Sequence, residues 1–281
     1  MAKEVKKTDD VSESGVEPVK KNNRVARVVS RIFVTTVLLL ATFAIGAISI
    51  MATQHFIANR SDYRDTRAEN DSLRGIARGR TSGLAGSEEA EVSGDNEIME
   101  HSEFDLEMLE INSDYVFWIN IDGTNVDHPV VQGYDNDKYI YTSFYGDNNS
   151  LGALFVDYRN NAARSSNVLI YGHNSVQGEM FGDLHLLLDE SFLNENNIIT
   201  IKAFGRIFEY EIFSARVTNI YDSAYTIDFE TQRDFTVYAH ENEAPLEARN
   251  ILTLSTCVSR DNDDARLIVQ AYSLSNASIF G

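Results

Sequence analysis

The sequence predicts a mainly β protein: a closed or nearly closed barrel of about eight strands, carried behind one membrane-crossing segment. Three observations lead there. From Tyr115 onward, short runs of β-branched and aromatic residues recur, punctuated by Gly, Asn and Asp. Only two later stretches break that texture with helical patterning. Near the N-terminus, an uncharged apolar run of about 20 residues follows a cluster of basic side chains.

Taken in order, residues 1–23 are polar and charged and are expected to form a disordered tail. Lys20, Lys21, Arg24, Arg27 and Arg31 then crowd the near side of the apolar run from Ile32 to about Thr53. A hydrocarbon core of about 30 Å needs a helix of that length. Basic residues before it put residues 1–31 in the cytoplasm and the rest of the chain outside. A cleaved signal sequence would usually have a shorter apolar region, about 7–15 residues, so an uncleaved anchor over 32–53 is favoured. Residues 54–100 are poor in large apolar side chains and are read as a stalk, partly helical from Gln54 to Arg74. Its acidic stretch, Glu88 to Glu91, reads as a solvated spacer.

Residues 101–281 are the folded domain. Phe104, Leu106, Met108, Leu109 and Ile111 have the spacing of a short amphipathic helix. Strands are expected at Tyr115–Ile121, His128–Gln132, Ala153–Asp157, Asn167–Tyr171, Ile198–Ala203, Arg206–Val217, Ile251–Leu254 and Leu267–Tyr272. Helices are expected over Phe181–Leu188 and Phe229–Glu241, the second lying before the last two strands.

Composition removes some functions. A formal net charge of −19 argues against a nucleic-acid binder, which would carry a basic patch. Cys257 is the single cysteine, so no internal disulfide is possible, and one thiol alone is a poor metal site. It is therefore either a buried bystander or a nucleophile. A calcium loop of the EF-hand type starting at Asp261 would need glycine sixth and glutamate twelfth, where Arg266 and Tyr272 stand.

A thiol attacks as thiolate and needs a base or a cationic neighbour. Of six histidines, His55 and His101 lie at the membrane edge and in the stalk. His128 precedes Pro129, and His185 and His240 fall in the expected helices. His173 follows the strand Val168–Tyr171 and Gly172, a place that is rigid yet accessible and suits an acid/base. Arg266 lies on the apolar run after the cysteine strand, where a guanidinium can meet developing oxyanion charge. Pairing with Asp263 or Asp264 explains it equally well.

These residues carry a resemblance. Thr253-Leu254-Ser255-Thr256-Cys257, with Arg266 downstream and His173 after Tyr171-Gly172, resembles the sortase family. Class B members are resembled further by Val130-Val131-Gln132-Gly133 with Asp135-Asn136, by Gly152 through Asp157, and by Tyr171 through Asn174 followed by Met180 through Leu184. The similarity spans about residues 104–273.

The resemblance implies a cysteine transpeptidase on the outer face of a Gram-positive membrane, with a sortase-type eight-stranded barrel. It implies Cys257 as nucleophile, His173 as acid/base and Arg266 as the substrate-orienting, oxyanion-stabilising residue. Acyl transfer of this kind needs no metal or cofactor. The substrate implied is a secreted protein with a C-terminal sorting motif cut at a Thr-Gly-like bond. The acceptor is a cell-wall precursor amine, and nothing requires an oligomer. The sorting-motif groove would be built from Asn136, Ile140, Tyr225, Ser255 and Thr256. Turn chemistry accounts for Asn136 as well, and core packing for Ile140 and Tyr225. Val258 departs from relatives with a polar residue after the cysteine, and Asp261 through Asp264 make the segment before Arg266 strongly acidic. Two other functions fit the same residues: a pilin-polymerising transpeptidase, and a tethered binding module whose thiol is inert.

Overall fold

The computed structural model describes residues 23–84, 100–161, 165–259 and 262–274. The expected N-terminal tail, the acidic stretch Glu88 to Glu91 and Asp261 lie outside the described residues. The chain divides between Ile57 and Ala58 into two compact units. Helix α1 runs from Asn23 to Leu84. Within it, Arg27–Gln54 is long and apolar enough to cross a membrane, and large side chains such as Ile32, Phe33, Leu39 and Phe43 are exposed. Such a surface is stable in lipid, not in water.

In the second unit the helix ends at Leu84, beyond the Arg74 limit read from sequence. Thr66, Asn70, Leu73 and Ala77 are all buried. Their spacing of three and four residues puts them on one helix face. Leu73 and Ala77 pack with Met108, Trp118, Val131, Tyr139 and Phe155. The stretch that reads as stalk thus contributes a buried face here. Its apolar content is low because the face is half polar, as Thr66 and Asn70 attest.

Helix α2, Glu103–Ile111, starts with a capping box in which Ser102 and Asp105 satisfy each other's backbone N–H groups. Eight strands follow: β1 Tyr115–Ile121, β2 Asp127–Val131, β3 Leu154–Val156, β4 Asn167–Tyr171, β5 Ile198–Ala203, β6 Arg206–Asn219, β7 Ile251–Ser259 and β8 Asn262–Ser273. They close into a barrel in the order β1-β2-β3-β4-β7-β8-β6-β5. Short helix α3, Glu190–Glu195, precedes β5, and α4, Gln232–Glu241, precedes β7. Alternate residues of every strand, among them Phe117, Ile119, Val130, Leu154, Val168, Ile170, Ile201, Phe208, Leu252, Leu254 and Val269, form one apolar core. Period-two alternation of this kind fills a small barrel with side chains and leaves no channel.

The mainly β barrel is as expected, and several element bounds differ. The segment read as a helix over Phe181–Leu188 is a 3-10 stretch, Gly182–Leu188. A Cβ on Gly182 would meet the Ser175 carbonyl, so backbone contact dictates the local path. Strands β7 and β8 are longer than their apolar runs, because pairing carries on through Ser255-Thr256-Cys257 and back from Asn262.

Two pairings position the site. β4 runs parallel to β7 with Tyr171 opposite Ser255, and β7 runs antiparallel to β8 with Cys257 opposite Arg266. Gly172, just past β4, has no room for a side chain: a Cβ would collide with Leu154 and with the Phe181 ring. Overpacking of such a site costs about 1–3 kcal/mol. Gly172→Ala is therefore expected to lower unfolding free energy by about that amount in chemical denaturation, with an unchanged m-value.

Candidate active site

His173 and Cys257 lie the same distance beyond the last aligned pair, Tyr171 and Ser255, on neighbouring parallel strands. Register alone brings them to one end of the barrel, and the β7–β8 pairing adds Arg266. Contacts between the segments hold this end together. The Gly172 N–H donates to the Ser255 carbonyl at 3.3 Å, and the Thr256 hydroxyl donates to the Gly172 carbonyl at 2.8 Å. Asn174 donates its side-chain amide to the Cys257 carbonyl at 2.8 Å and to that of Val258 at 3.3 Å. Cys257 itself is exposed. A thiol on a strand end fixed from both sides, yet open to solvent, is placed to react rather than to fill a core.

His173 is half-buried. Its Nε2 lies 2.8 Å from the carbonyl oxygen of Ile140. A carbonyl only accepts, so Nε2 is the donor, and the ring is held through a backbone atom. The exposed Tyr141 ring packs beside it, 5.9 Å between centroids. Arg266 is partly buried, and its Nη1 donates to its own neighbour, the Ala265 carbonyl, at 3.0 Å.

A chain of polar and aromatic contacts runs away from the cysteine. The Ser255 hydroxyl and the Tyr225 phenol are 2.8 Å apart. Tyr225 stacks on Tyr171, at 6.5 Å and 15°. The Tyr171 hydroxyl donates to Asp157 at 3.1 Å, and Asn136 donates to the same carboxylate oxygen at 3.1 Å. Burial raises the Tyr225 phenol above its ordinary value, against the Ser255 hydrogen bond and the Arg266 charge, which pull it down. Ile140 enters through its backbone, Ser255 and Thr256 are buried, and the Thr256 hydroxyl is engaged by Gly172. The sequence-predicted residues thus gather around one end of the barrel.

Three participants were not singled out from sequence. Asn174 adjoins His173 in the motif that runs from Tyr171, and that adjacency was the available signal. Tyr141 looks like any exposed aromatic. Asp157, just past β3 and beside Arg159, ends the Gly152–Asp157 motif, and that membership was the available signal. Arg159 donates Nε and Nη2 to Asp157 at 2.9 and 2.8 Å. Burial alone would raise the Asp157 carboxyl, but Arg159, its backbone N–H and Asn136 hold it below the ordinary value.

Among the described residues, no group of three or more His, Cys, Asp or Glu could hold a metal. What remains is one end of a barrel with an exposed thiol, an imidazole and a guanidinium brought there by register, the equipment of acyl transfer.

A sortase-domain family model matches residues 119–274. Sortase B of Listeria monocytogenes is 32% identical over 176 residues, 58% of this chain and 71% of that protein. The crystal structure of Clostridium perfringens sortase B matches with a TM-score of 0.57 and 35% identity, over 60% of this chain and 99% of that one. A sortase B solved in complex with triglycine matches with a TM-score of 0.64 and 25% identity, over 76% of this chain and 99% of that one. The chain belongs to the sortase family, and within it to class B. It is a membrane-tethered cysteine transpeptidase that processes a sorting-motif substrate.

The depressed Asp157 carboxyl has a consequence for stability. Its hydrogen bonds favour the folded state above the carboxyl's unfolded value, about 3.9, and that contribution fades as pH falls through the folded value. Asp157→Asn is expected to cost about 1–3 kcal/mol at pH 7. The gap between variant and parent should close as acid is approached. Denaturation curves across that range check it, and a gap independent of pH would refute the assignment.

Proposed function

We propose that Cys257 is the nucleophile, His173 the acid/base and Arg266 the group that orients the substrate and stabilises the oxyanion. The observation that carries this is the double register: Tyr171 beside Ser255 and Cys257 opposite Arg266. The Cys257 thiolate attacks the threonine carbonyl of a Thr-Gly-like bond, and Arg266 offers its guanidinium donors to the oxyanion. His173, as imidazolium, gives a proton to the leaving amine, and the C–N bond breaks to leave a thioacyl-enzyme. A primary amine then attacks the thioester, losing a proton to His173, and the thiolate departs. The acceptor is a peptidoglycan amine at the cell wall; a relative's complex with triglycine, which offers a primary amine, supports that class of acceptor.

The sorting motif lies along Asn136, Ile140, Tyr225 and Ser255, with Thr256 next to the nucleophile. The contact chain from Asn136 through Asp157, Tyr171 and Tyr225 to Ser255 supports one continuous surface. Residues 1–31 are cytoplasmic, 32–53 anchor the chain, 54–100 lead out from the membrane and pack on the domain through Thr66 to Ala77, and 101–281 act outside a Gram-positive cell. The basic residues before the apolar run support that orientation.

The test is acyl capture. The full chain, in detergent, is incubated with Thr-Gly-containing pentapeptides, with and without an amine, and products are read by mass spectrometry. Parent protein is expected to cut after threonine, carry an acyl group on Cys257 and transfer it to the amine. Cys257→Ala should lose all cleavage while keeping its fold. His173→Ala and Arg266→Ala should lose about 10²-fold or more, and Arg266→Lys should be poor as well. Cleavage retained by Cys257→Ala would sink the assignment.

A further inference from the structure

The loop that carries His173 is fastened from outside the barrel. It leaves β4 at Gly172 and returns at Phe181, whose N–H donates to the His173 carbonyl at 3.0 Å, while Asn174 bridges Met180. Met180 adopts φ of 54°, a left-handed conformation that costs a methionine and that a free loop would relax. Just before it stands Glu179, a carboxylate 3% exposed.

Glu179 meets polar partners on α1. Asn70 donates its side-chain amide to the Glu179 carboxylate at 3.2 Å, and Arg74 pairs with the same oxygen at 3.6 Å. Arg74 is itself fixed: Nε donates to the Asp127 carbonyl at 3.0 Å and Nη2 to the Asn125 carbonyl at 2.8 Å. Its Nη2 also lies 3.2 Å from Nε2 of the buried His128. Burial, with the Arg74 charge beside it, pushes His128 down to about 3, so the ring is neutral and accepts from Arg74. A buried carboxylate must be paired, and this one is paired across an interface. It sits inside both closures of the loop, next to Met180, and the far side of that loop touches Cys257 through Asn174.

We propose that Glu179 is a positioning residue for His173, held by Asn70 and Arg74, so that the helix leaving the membrane is part of the catalytic apparatus. This rests on the reading of His173 as the acid/base. Freed of Glu179, the loop relaxes at Met180, and the imidazole leaves its place on the Ile140 carbonyl. A misplacement of about 1 Å in such a group costs about 10²-fold in rate.

The test uses the full chain in detergent, with Glu179→Ala, Glu179→Gln, Arg74→Ala and the Glu179→Ala/Arg74→Ala double variant. The rate of Cys257 acylation at saturating peptide, KM, and the His173 ring resonance in isotope-labelled protein are measured. The expected result is a loss of about tenfold to a hundredfold in saturating rate, with KM within about twofold. The double variant should be no worse than either single one, because both break the same tie. The His173 resonance should shift or broaden in each variant while that of His240 stays.

Saturating rates within about twofold of the parent in folded variants, or losses that multiply in the double variant, would overturn the proposal. Should Glu179→Ala fail to fold, Glu179→Gln decides, since it keeps the shape and loses only the charge. A parent that never acylates would instead overturn the assigned chemistry, and the His173 resonance would then decide the positioning by itself.

Discussion

The parallel pairing of β4 with β7 is the contact on which the rest depends. Every other neighbouring pair in the barrel but β2–β3 is antiparallel. The chain reaches β7 only after β5, β6 and α4, so this pairing joins distant parts of the sequence. Apolar burial provides most of its strength. Val168, Ile170, Leu252 and Leu254 are core residues, each worth about 1.5–3 kcal/mol when fully buried. Backbone hydrogen bonds add only about 0.5–1.5 kcal/mol apiece net. Direction and offset need polar help. Asn167, wholly buried at the start of β4, accepts from the Thr253 hydroxyl at 2.7 Å and donates to the Ala224 and Thr226 carbonyls at 2.9 and 2.8 Å. A slip of one residue would break all three and turn the apolar set outward.

The same residue links fold to groove. By holding Ala224 and Thr226, Asn167 fixes the turn on which Tyr225 rides, and Tyr225 meets Ser255 on β7. One buried amide thus sets both the register at the reacting end and the wall beside it. Buried polar groups are costly unless fully paired, so their geometry is specific where apolar packing tolerates change.

How much of this was legible depends on which signal each part carries. Strands β1, β4 and β5 were readable to the residue, because their runs of apolar and β-branched residues, continuous in β4 and alternating in β5, start and stop with the strand. The far end of β7 and the near end of β8 were not. Ser255, Thr256 and Cys257, and Asn262 through Asp264, have no strand-like pattern, and only the partner strand keeps them extended. The 3-10 path of Gly182–Leu188 is likewise tertiary, since close contact with Ser175 sets it. Within the site, residues that stand in family motifs could be found: Cys257, His173, Arg266. Asn174 and Asp157 stand in such motifs too, but their contacts, like that of the Ile140 carbonyl, join positions that only folding brings together.

The solitary, exposed thiol bears on how the molecule ages. Cys257 lies at the surface, and the chain has no second cysteine. Peroxide that converts it to a sulfenic acid meets no neighbouring thiol with which to condense into a disulfide. Repair must come from a small thiol or a reductase arriving from solution. Where none arrives, further oxidation to the sulfinic acid is irreversible and ends that copy's working life. A fold that leaves its thiol open to incoming acyl groups leaves it equally open to oxidants.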